Sequence, residues 1–263
     1  MNELRTAQLD TQSAIICSMA GFAAARNIMR PCGFQQLRER IWVVCDPPAS
    51  SKLPPRTTEI VSYRVSADEV FAAAAAMKYT KYFICAFVDT ADQSLPLIAD
   101  FKRAGCRLMR REPLFVAPTD SLHLFPSSQI SRVTTQERAD AVATAARAKQ
   151  ILPEHLTDDN SLCRLYAAYE ADDSKRERLP VGWLRSVRTI EKCSYVAGLN
   201  VVEVHRRKGL GKALMSAMLA DDARLGLNWS VLTASSAGAL LYPHLGYEQR
   251  GKLVLFASPK AGY

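Results

Sequence analysis

The sequence predicts a fold of the α/β class (α+β, with helices packed on a mixed sheet). We expect this fold to be divided into two parts. Helical and strand-like hydrophobic patterns alternate along the chain. Its 263 residues, 48% of them hydrophobic, suffice for two cores. Turn residues without periodicity occupy the stretch from Pro118 to Ser128. We therefore expect a smaller N-terminal α/β domain at residues 1–125 and a second domain at residues 128–263.

The elements of the N-terminal part are predicted from caps, prolines and apolar runs. The first helical pattern ends before Pro31, because a proline pushes the preceding residue out of helical geometry. Ser66 is suited to cap an alanine-rich helix, with Asp68 and Glu69 in its first turn. In order, we expect a helix over 11–29, strands over 41–44 and 59–65, a helix over 67–77, a strand over 82–88, a helix over 96–105 and a short strand over 114–116.

The C-terminal part begins with a capping box, Thr134-x-x-Glu137, ahead of a second alanine-rich helix. A polar loop at 171–178 is expected to join two strands as the tip of a hairpin. The predicted order is a helix over 134–150, a short helical piece at 153–156, strands over 162–170, 181–187 and 194–204, a helix up to 225, a strand over 229–233, a helix over 237–245 and a closing strand over 252–256.

Composition and charge exclude several classes of protein. The net charge of +8 includes no concentrated basic stripe, which argues against nucleic-acid binding. The seven cysteines are scattered and form no CxxC pair, which argues against disulfides and a metal site and for a reducing compartment. The apolar stretch from Thr11 to Ala25 is too short for a membrane span, and Glu3 and Asp10 stand where a signal peptide needs positive charge. We expect a cytoplasmic protein without a membrane segment.

One segment carries recognisable chemistry. A predicted strand runs into Arg206-Arg-Lys-Gly209-Leu-Gly211-Lys, where a helix begins. Glycine lets a ligand approach the backbone closely. The first amides of a helix have no intrahelical partners, and the helix dipole adds positive charge at the same point. The basic side chains of this segment surround that point. The segment therefore predicts a binding site for a diphosphate.

Two familiar glycine motifs do not match this segment. The dinucleotide fingerprint needs a third small residue where the chain has Leu214. The loop that binds nucleoside triphosphates needs a Gly and a Ser or Thr where the chain has Arg206 and Ala213. ATP binding by the same segment is therefore the least favoured alternative.

The remaining pattern, Arg-x-x-Gly-x-Gly between a strand and a helix, resembles the coenzyme A pyrophosphate loop of the GNAT acetyltransferase superfamily. The segment from Ser235 to Glu248 is similar to the second signature of that superfamily, in which a helix ends in Leu-Tyr-x-x-Leu-Gly-aromatic. The order of the elements also agrees, and the resemblance covers about residues 129–258. It implies a GNAT acyl-CoA N-acyltransferase fold for the C-terminal half, with acetyl-CoA as co-substrate.

The resemblance also assigns roles to individual residues. It implies that the end of the long strand pairs with the pantetheine arm and that the basic loop holds the pyrophosphate. Tyr242 matches a tyrosine that, in many members, protonates the departing thiolate. The positions implied to bind the cofactor are Val201, Val202, Glu203, Arg206, Arg207, Lys208, Gly209, Leu210, Gly211, Lys212, Ser235 and Tyr242.

The catalytic base is open between two residues. Members of the superfamily deprotonate the amine through a Glu, a His or a chain of waters. The candidates here are Glu191, before the long strand, and Glu203 at its end. Glu203 stands where Pro is common in the superfamily, and Ser235 stands where Asn is frequent. A serine at that position is still able to hydrogen-bond the cofactor arm.

The N-terminal half contains a faded copy of the C-terminal pattern. Residues 101–106 align without gaps with 242–247, and 114–115 then align with 255–256. The copy lacks the basic glycine loop, since residues 66–69 open its helix with two carboxylates that would repel a diphosphate. Phe101 also lacks the hydroxyl of Tyr242. We expect either a degenerate, catalytically inactive GNAT-like repeat that shapes the acceptor cleft or an unrelated α/β domain.

The motifs together predict an acetyl-CoA-dependent N-acetyltransferase. We expect direct transfer in a ternary complex to an amine of a small molecule or a protein, so no cysteine has to act as a nucleophile. A homodimer is one expected assembly. The alternatives are a non-catalytic regulator that binds coenzyme A, an acetyltransferase acting on aminoacyl-tRNA, and the ATP-binding protein mentioned above.

Overall fold

The helices of this protein pack on one mixed sheet. A computed structural model describes residues 9–47, 56–120, 124–170, 179–190, 192–236 and 238–259. Within these ranges, eleven strands form a continuous hydrogen-bonded sheet, and five α-helices cover it. The sheet therefore crosses the predicted domain boundary without a break, and the division at residues 125–128 stays a prediction.

The N-terminal half supplies three helices and five strands of the described structure. They are α1 (Thr11–Asn27), β1 (Gly33–Arg38), β2 (Ile41–Cys45), β3 (Thr58–Tyr63), α2 (Ala67–Ala76), β4 (Tyr82–Val88), α3 (Ala91–Arg103) and β5 (Arg107–Pro118). The carboxylate of Asp10 caps α1 by accepting from the Ser13 amide at 2.9 Å. Ser66 caps α2 as predicted.

The C-terminal half supplies the other elements of the described structure. They are β6 (Ile130–Arg132), α4 (Gln136–Ala146), β7 (Cys163–Tyr169), β8 (Pro180–Arg188), β9 (Cys193–Val201), α5 (Leu210–Arg224), β10 (Trp229–Thr233) and β11 (Glu248–Ala257). Short 3₁₀ helices occur at Pro153–His155, Glu203–His205 and Tyr242–Leu245. The predicted hairpin tip at 171–178 lies outside the described residues.

The strand order interleaves the two halves at the centre of the sheet. It reads β1-β2-β3-β4-β11-β5-β10-β9-β8-β7-β6. The last strand of the chain, β11, therefore lies between two N-terminal strands, and β5 lies between two C-terminal ones. The two exchanged strands are antiparallel to each other and to their outer neighbours. Each half thus contributes one strand to the sheet of the other.

The register between β5 and β11 is symmetric. Glu248 lies opposite Val116 at one end of the pair, and Arg107 lies opposite Ala257 at the other. The residues of the two pairs correspond at an offset of 141 positions, Arg107 to Glu248 and Val116 to Ala257. The same offset aligns the two sequence patterns around Phe101 and Tyr242. The same offset also maps the register irregularity of one strand onto that of the other. This symmetry supports the predicted repeat.

Helix α1 packs against strands of both halves. It contacts β1 and β2 on one side and β8, β9, β10 and β11 on the other, and buried residues of both halves join it in one core. α1 approaches β9 closely at Gly21, where a Cβ atom would lie 2.2 Å from the Cβ of Tyr195. Helix α4 lies on the same face, whereas α2, α3 and α5 lie on the opposite one. An N-terminal helix therefore covers part of the C-terminal sheet beside Tyr195.

Three expectations about helices are wrong. The helix predicted over 237–245 is reduced to the 3₁₀ helix that begins at Tyr242. Pro243 has no amide hydrogen and clashes with the preceding turn, so it interrupts an α-helix there. The cap of α4 is Thr135 instead of Thr134, because the Thr135 hydroxyl accepts from the Arg138 amide. The same helix ends at Ala146, not at residue 150.

Several strands are longer than predicted or were not expected. β5 has twelve residues where the sequence pattern suggested three, because its polar first half is held by β11. Strands β1 and β6 were not expected, since neither has a buried residue. All seven cysteines lie in the described ranges and are free thiols. No helix in the described residues has the length and apolar character needed to cross a membrane.

Candidate active site

Strands β9 and β10 are parallel neighbours that soon diverge. Their last registered pair is Tyr195 with Val231, although β9 continues to Val201. On its other side β9 stays paired with β8 as far as Val201. In the described structure, the edge of β9 that faces β10 therefore has no strand partner from Val196 on. Backbone N–H and C=O groups on such an edge are available to an extended ligand.

A bulge bends β9 along this open edge. Gly198 has a positive φ of 66°, which a residue with a side chain rarely adopts. The register with β8 shifts at the same place, between Trp183 and Arg185. Bulges increase the local twist and re-aim neighbouring groups. The bulge therefore turns the last residues of β9 relative to β10.

The corresponding strands of the N-terminal half remain paired. β3 and β4 are parallel and pair along the whole of β3, up to Tyr63 opposite Phe87. In the helix that follows, the Ser66 hydroxyl accepts from the Glu69 amide, and the Glu69 carboxylate accepts from the Ser66 amide at 2.8 Å. The described residues of this half thus offer neither an open edge nor an uncapped helix start at this place. That arrangement agrees with the predicted loss of its cofactor loop.

The start of α5 is open, in contrast to that of α2. Gly209 is its N-cap with a φ of 81°, and no side chain among the described residues caps this end. A Cβ atom on Gly209 would meet no atom within 4 Å. The side chains of Arg206, Arg207 and Lys208 are exposed around it. The Arg206 Nε donates to the Val201 carbonyl at 2.9 Å and ties this loop to the end of β9. Free amides and cations therefore face one point, where an anion binds favourably.

Tyr242 lies buried behind α5. Its ring packs against Phe115 of β5 and Tyr247, each with ring centroids 5.6 Å away. Burial raises the pKa of Tyr242 to about 12, and the neighbouring Tyr195 adds to this shift. The phenol therefore keeps its proton at physiological pH. The N-terminal half contributes to this pocket through Phe115.

The other predicted cofactor residues differ in exposure. The Val202 amide donates to the Val181 carbonyl at 2.8 Å, so it is already used within the sheet. Leu210 is buried in the core beneath α5, and the Lys212 ammonium lies 5.0 Å above the ring of Phe125. Ser235 is exposed just after β10, where its hydroxyl accepts from the Gly238 amide. These residues remain predictions for the cofactor site.

Of the two predicted bases, Glu203 lies within the described residues. Glu203 is exposed in the 3₁₀ helix beside the basic loop, as a solvated carboxylate would be. Glu191 lies outside the described residues. Both assignments therefore stay predictions.

A group of polar side chains around Tyr195 was missed by the sequence analysis. Burial raises the pKa of Tyr195 to about 12. A hydrogen bond with Thr233 and the charge of Arg185 lower that pKa, whereas the charges of Glu112 and Glu59 raise it. These groups come from both halves of the chain and act on Tyr195, the residue at which the pairing of β9 with β10 ends. In the sequence, the charged members of this group are single charged residues inside strand segments, and no motif includes them.

Glu112 occupies a particular position in this group. Leu114 of β5 pairs with Thr233, the last residue of β10. Glu112 lies two residues before Leu114 on the same strand, so the two side chains share one face of the sheet. At the level of Glu112, β10 has already ended. Its side chain is 14% exposed, and the Arg110 Nε donates to it at 3.0 Å. Glu112 therefore borders the gap beside β9 on the face covered by α1.

A buried ion pair fixes α5 to the sheet. The Arg164 guanidinium on β7 is paired with the Asp222 carboxylate on α5, and both side chains are fully enclosed. The Ser186 hydroxyl donates to the same carboxylate at 2.9 Å. Because breaking such a pair leaves a buried charge, the pair holds the helix in place. The helix that carries the basic loop is thus anchored at its far end.

Comparisons with known proteins agree with this geometry. A family model described as an acetyltransferase (GNAT) domain matches residues 161–249, which include β9, the basic loop, α5 and Tyr242. A comparison with curated protein sequences gave no match.

Solved structures share the fold over most of the chain. A GCN5-related N-acetyltransferase from Kribbella flavida is 18% identical, covers 94% of this chain and 96% of its own, and has a TM-score of 0.60. A second one, from Sphaerobacter thermophilus, is 16% identical, covers 95% and 92%, and has a TM-score of 0.51. A tandem GNAT protein from the clavulanic acid biosynthesis pathway is 15% identical, covers 85% and 80%, and has a TM-score of 0.54. Residues 161–249 are therefore similar to a GNAT acetyltransferase domain, and the chain shares the fold of solved GCN5-related N-acetyltransferases.

Proposed function

We propose that this chain transfers an acetyl group from acetyl-CoA directly to an amine in a ternary complex. The observation that carries the proposal is the open edge of β9 beside the uncapped start of α5. The edge fits an extended amide-bearing arm, and the helix start fits a diphosphate. Coenzyme A combines these two groups, and its acetyl thioester would supply the activated acetyl group.

The residues of the basic loop would bind the diphosphate. Amides at the start of α5 donate to its oxygens, while the exposed Arg207 and Lys208 add positive charge. Arg206 also ties the loop to Val201, so the loop and the open strand edge keep a fixed relation. Ser235 lies at the end of β10, where its hydroxyl would hydrogen-bond the arm.

The transfer needs a proton acceptor, a proton donor and a group that polarises the carbonyl. An amide on the open edge of β9 would polarise the carbonyl. Tyr242 holds its proton at physiological pH and would donate it to the departing thiolate. Of the described carboxylates, Glu112 fits best as the acceptor of the amine proton, because it borders the gap on the face opposite α5. Glu191 and Glu203 remain the alternatives for that role.

The N-terminal half would act as a catalytically inactive GNAT-like repeat. Its helix start is capped, its parallel strands stay paired, and Phe101 replaces the tyrosine. Its contribution to the reaction would be structural, through β5, Phe115 and α1. We therefore retain residues 1–125 and 128–263 as two evolutionary units that share one sheet.

The proposal is tested with the full chain, acetyl-CoA and a panel of amines, by following thiol release. Arg207→Glu combined with Lys208→Glu should weaken coenzyme A binding by about ten-fold or more, because two charges at the diphosphate are reversed. Arg103→Glu, at an exposed arginine of α3, serves as the control and should leave binding unchanged. Equal binding by both variants would contradict the placement of the cofactor, and tight binding without thiol release would favour a regulator.

A further inference from the structure

Arg185 on β8 is a half-buried cation with no carboxylate partner among the described residues. Its Nη1 donates to the Ala25 carbonyl near the end of α1 at 3.3 Å, and its Nε is enclosed without a partner. Burial also lowers the pKa of this guanidinium. The interior at this point therefore disfavours the charge that the side chain carries.

Two other arginines of the described chain have carboxylate partners: Arg164 is fully enclosed, and the side chain of Arg26 is 27% exposed. Arg164 is paired with Asp222, and Arg26 is paired with Glu59 at 2.9 Å. Arginine keeps its charge at physiological pH, so a guanidinium removed from water is stable only with an anion or several acceptors. At Arg185 only Nη1 reaches a carbonyl, and the enclosed Nε has no hydrogen-bond partner among the described residues. The unmet charge indicates a site for an anionic ligand.

Arg185 lies where the acceptor has to approach. It pairs with Ala197 of β9, two residues beyond the point at which β9 and β10 diverge. A Cβ atom on Gly198 would lie 3.3 Å from its Nη2, so the glycine of the bulge leaves room for the guanidinium. Its charge also acts on Tyr195 at the same point. An anion bound by Arg185 would therefore lie close to the open edge of β9.

Carboxylates lie on the other side of the same group. Glu112 on β5 and Glu59 on β3 both act on Tyr195, as Arg185 does from β8. Glu59 already has Arg26 as its partner, whereas Glu112 is bonded to Arg110, whose side chain is 63% exposed. The region around Tyr195 thus presents a cation from one side and a carboxylate from the other. A ligand with a carboxylate and an amine matches both.

We propose that the acceptor is an amine that also bears a carboxylate, and that Arg185 binds this carboxylate while the amine faces Glu112. The proposal rests on the acetyl transfer proposed above and names the substrate class of the same site. An amino acid is the smallest molecule of this class. The Ala25 carbonyl, at the end of α1, would help to orient Arg185.

The test compares the common amino acids with their primary amides, which keep the amine and remove the negative charge. With the wild-type chain and acetyl-CoA, at least one amino acid should be acetylated about ten-fold or more faster, in kcat/KM, than its amide. Arg185→Gln should abolish this preference by raising the KM of the amino acid and leaving that of the amide within about two-fold. No preference in the wild-type chain, or an equal loss for both ligands in the variant, would overturn the proposal.

A binding measurement separates this proposal from the proposed function. Calorimetry with the same amino acid and amide should show carboxylate-dependent binding that Arg185→Gln removes, whether or not acetyl-CoA reacts. Binding without thiol release would contradict acetyl transfer alone, whereas thiol release that is equally fast with amines that lack a carboxylate would contradict the role of Arg185 alone. Arg185→Lys keeps the charge and should retain part of the preference, which serves as the folding control if Arg185→Gln is unstable.

Discussion

Glu112 on β5 lies directly opposite Leu253 on β11, at the centre of the register that relates the two halves of the chain. The offset of 141 positions that relates the two halves maps Glu112 onto Leu253. The local two-fold axis therefore passes between these two residues. β5 separates β10 from β11, and β11 separates β4 from β5. The sheet of each half therefore depends on a strand from the other.

Residues 128–263 expressed alone should fail to fold cooperatively. Removal of β5 leaves β10 and β11 without the strand that joins them, and removal of α1 exposes the apolar face that it covers. We expect aggregation or a broad thermal transition by circular dichroism. Residues 1–127 added during refolding should restore a single sharp transition. A soluble fragment with a cooperative transition would show that the exchanged strand is dispensable.

Tyr242→Phe should lower kcat by about 100-fold or more, because the thiolate loses its proton donor. The aromatic ring keeps its packing against Phe115 and Tyr247, so coenzyme A affinity and the melting temperature should change little. Tyr247→Phe is the matched control, since it removes a hydroxyl bonded to Ser230 at 2.7 Å. This control should lose stability but keep kcat. If both variants retain full turnover, Tyr242 is a packing residue.

The proposed cofactor side of the site depends on local sequence motifs, whereas the proposed acceptor side does not. Gly209 and Tyr242 belong to short continuous motifs, and the functions proposed for both depend on local geometry. Arg185 and Glu112 lie on strands from different halves, which come together only through the strand exchange. Nothing local distinguishes Glu112 from the other polar residues of β5. The exchange itself was beyond prediction, because strand order depends on long-range pairing.

Glu112→Gln should reduce kcat by about 100-fold or more if this carboxylate accepts the amine proton. The substitution keeps the size of the side chain and its hydrogen bond with Arg110 in part, so the fold should be retained. Glu203→Gln and Glu191→Gln, measured side by side at several pH values, identify the base among the three. The variant that lacks the catalytic base should no longer show the decrease in rate at low pH that protonation of the base causes. If Glu112→Gln has normal activity and one of the other two variants is inactive, the residue changed in that inactive variant is the base.

The stability effect of Glu59→Gln should depend on pH. Burial raises the pKa of Glu59, although the charge and hydrogen bond of Arg26 oppose this shift. The contribution of Glu59 to stability is therefore complete below its unfolded-state pKa of about 4.3 and is lost as pH rises toward the folded-state pKa. Because Gln does not titrate, the variant should gain stability relative to the wild type between pH 4 and pH 7.

Urea unfolding at each pH measures this difference. Glu69→Gln is the control with the opposite sign, because hydrogen bonds from Ser66 lower the pKa of Glu69. That variant should lose stability relative to the wild type as pH rises from the lowered folded-state pKa of Glu69 to its unfolded-state pKa of about 4.3, and the difference should stay constant at higher pH. A flat difference for Glu59→Gln would mean that its carboxylate is as well solvated in the folded chain as in the unfolded one.

Gly21→Ala should destabilise the protein by roughly 2 kcal/mol or more, because α1 has no room for a methyl group against β9. The new Cβ would lie 2.2 Å from the Cβ and 2.6 Å from the Cγ of Tyr195, so the helix itself has to move. Gly33→Ala is the matched control, since its nearest atom would be the Cys45 carbonyl oxygen at 3.7 Å. Its free energy of unfolding in urea should stay within about 0.5 kcal/mol of the wild-type value. Equal stability of the two variants would mean that α1 does not rest on Tyr195, and the acceptor side would then lack the cover that α1 provides.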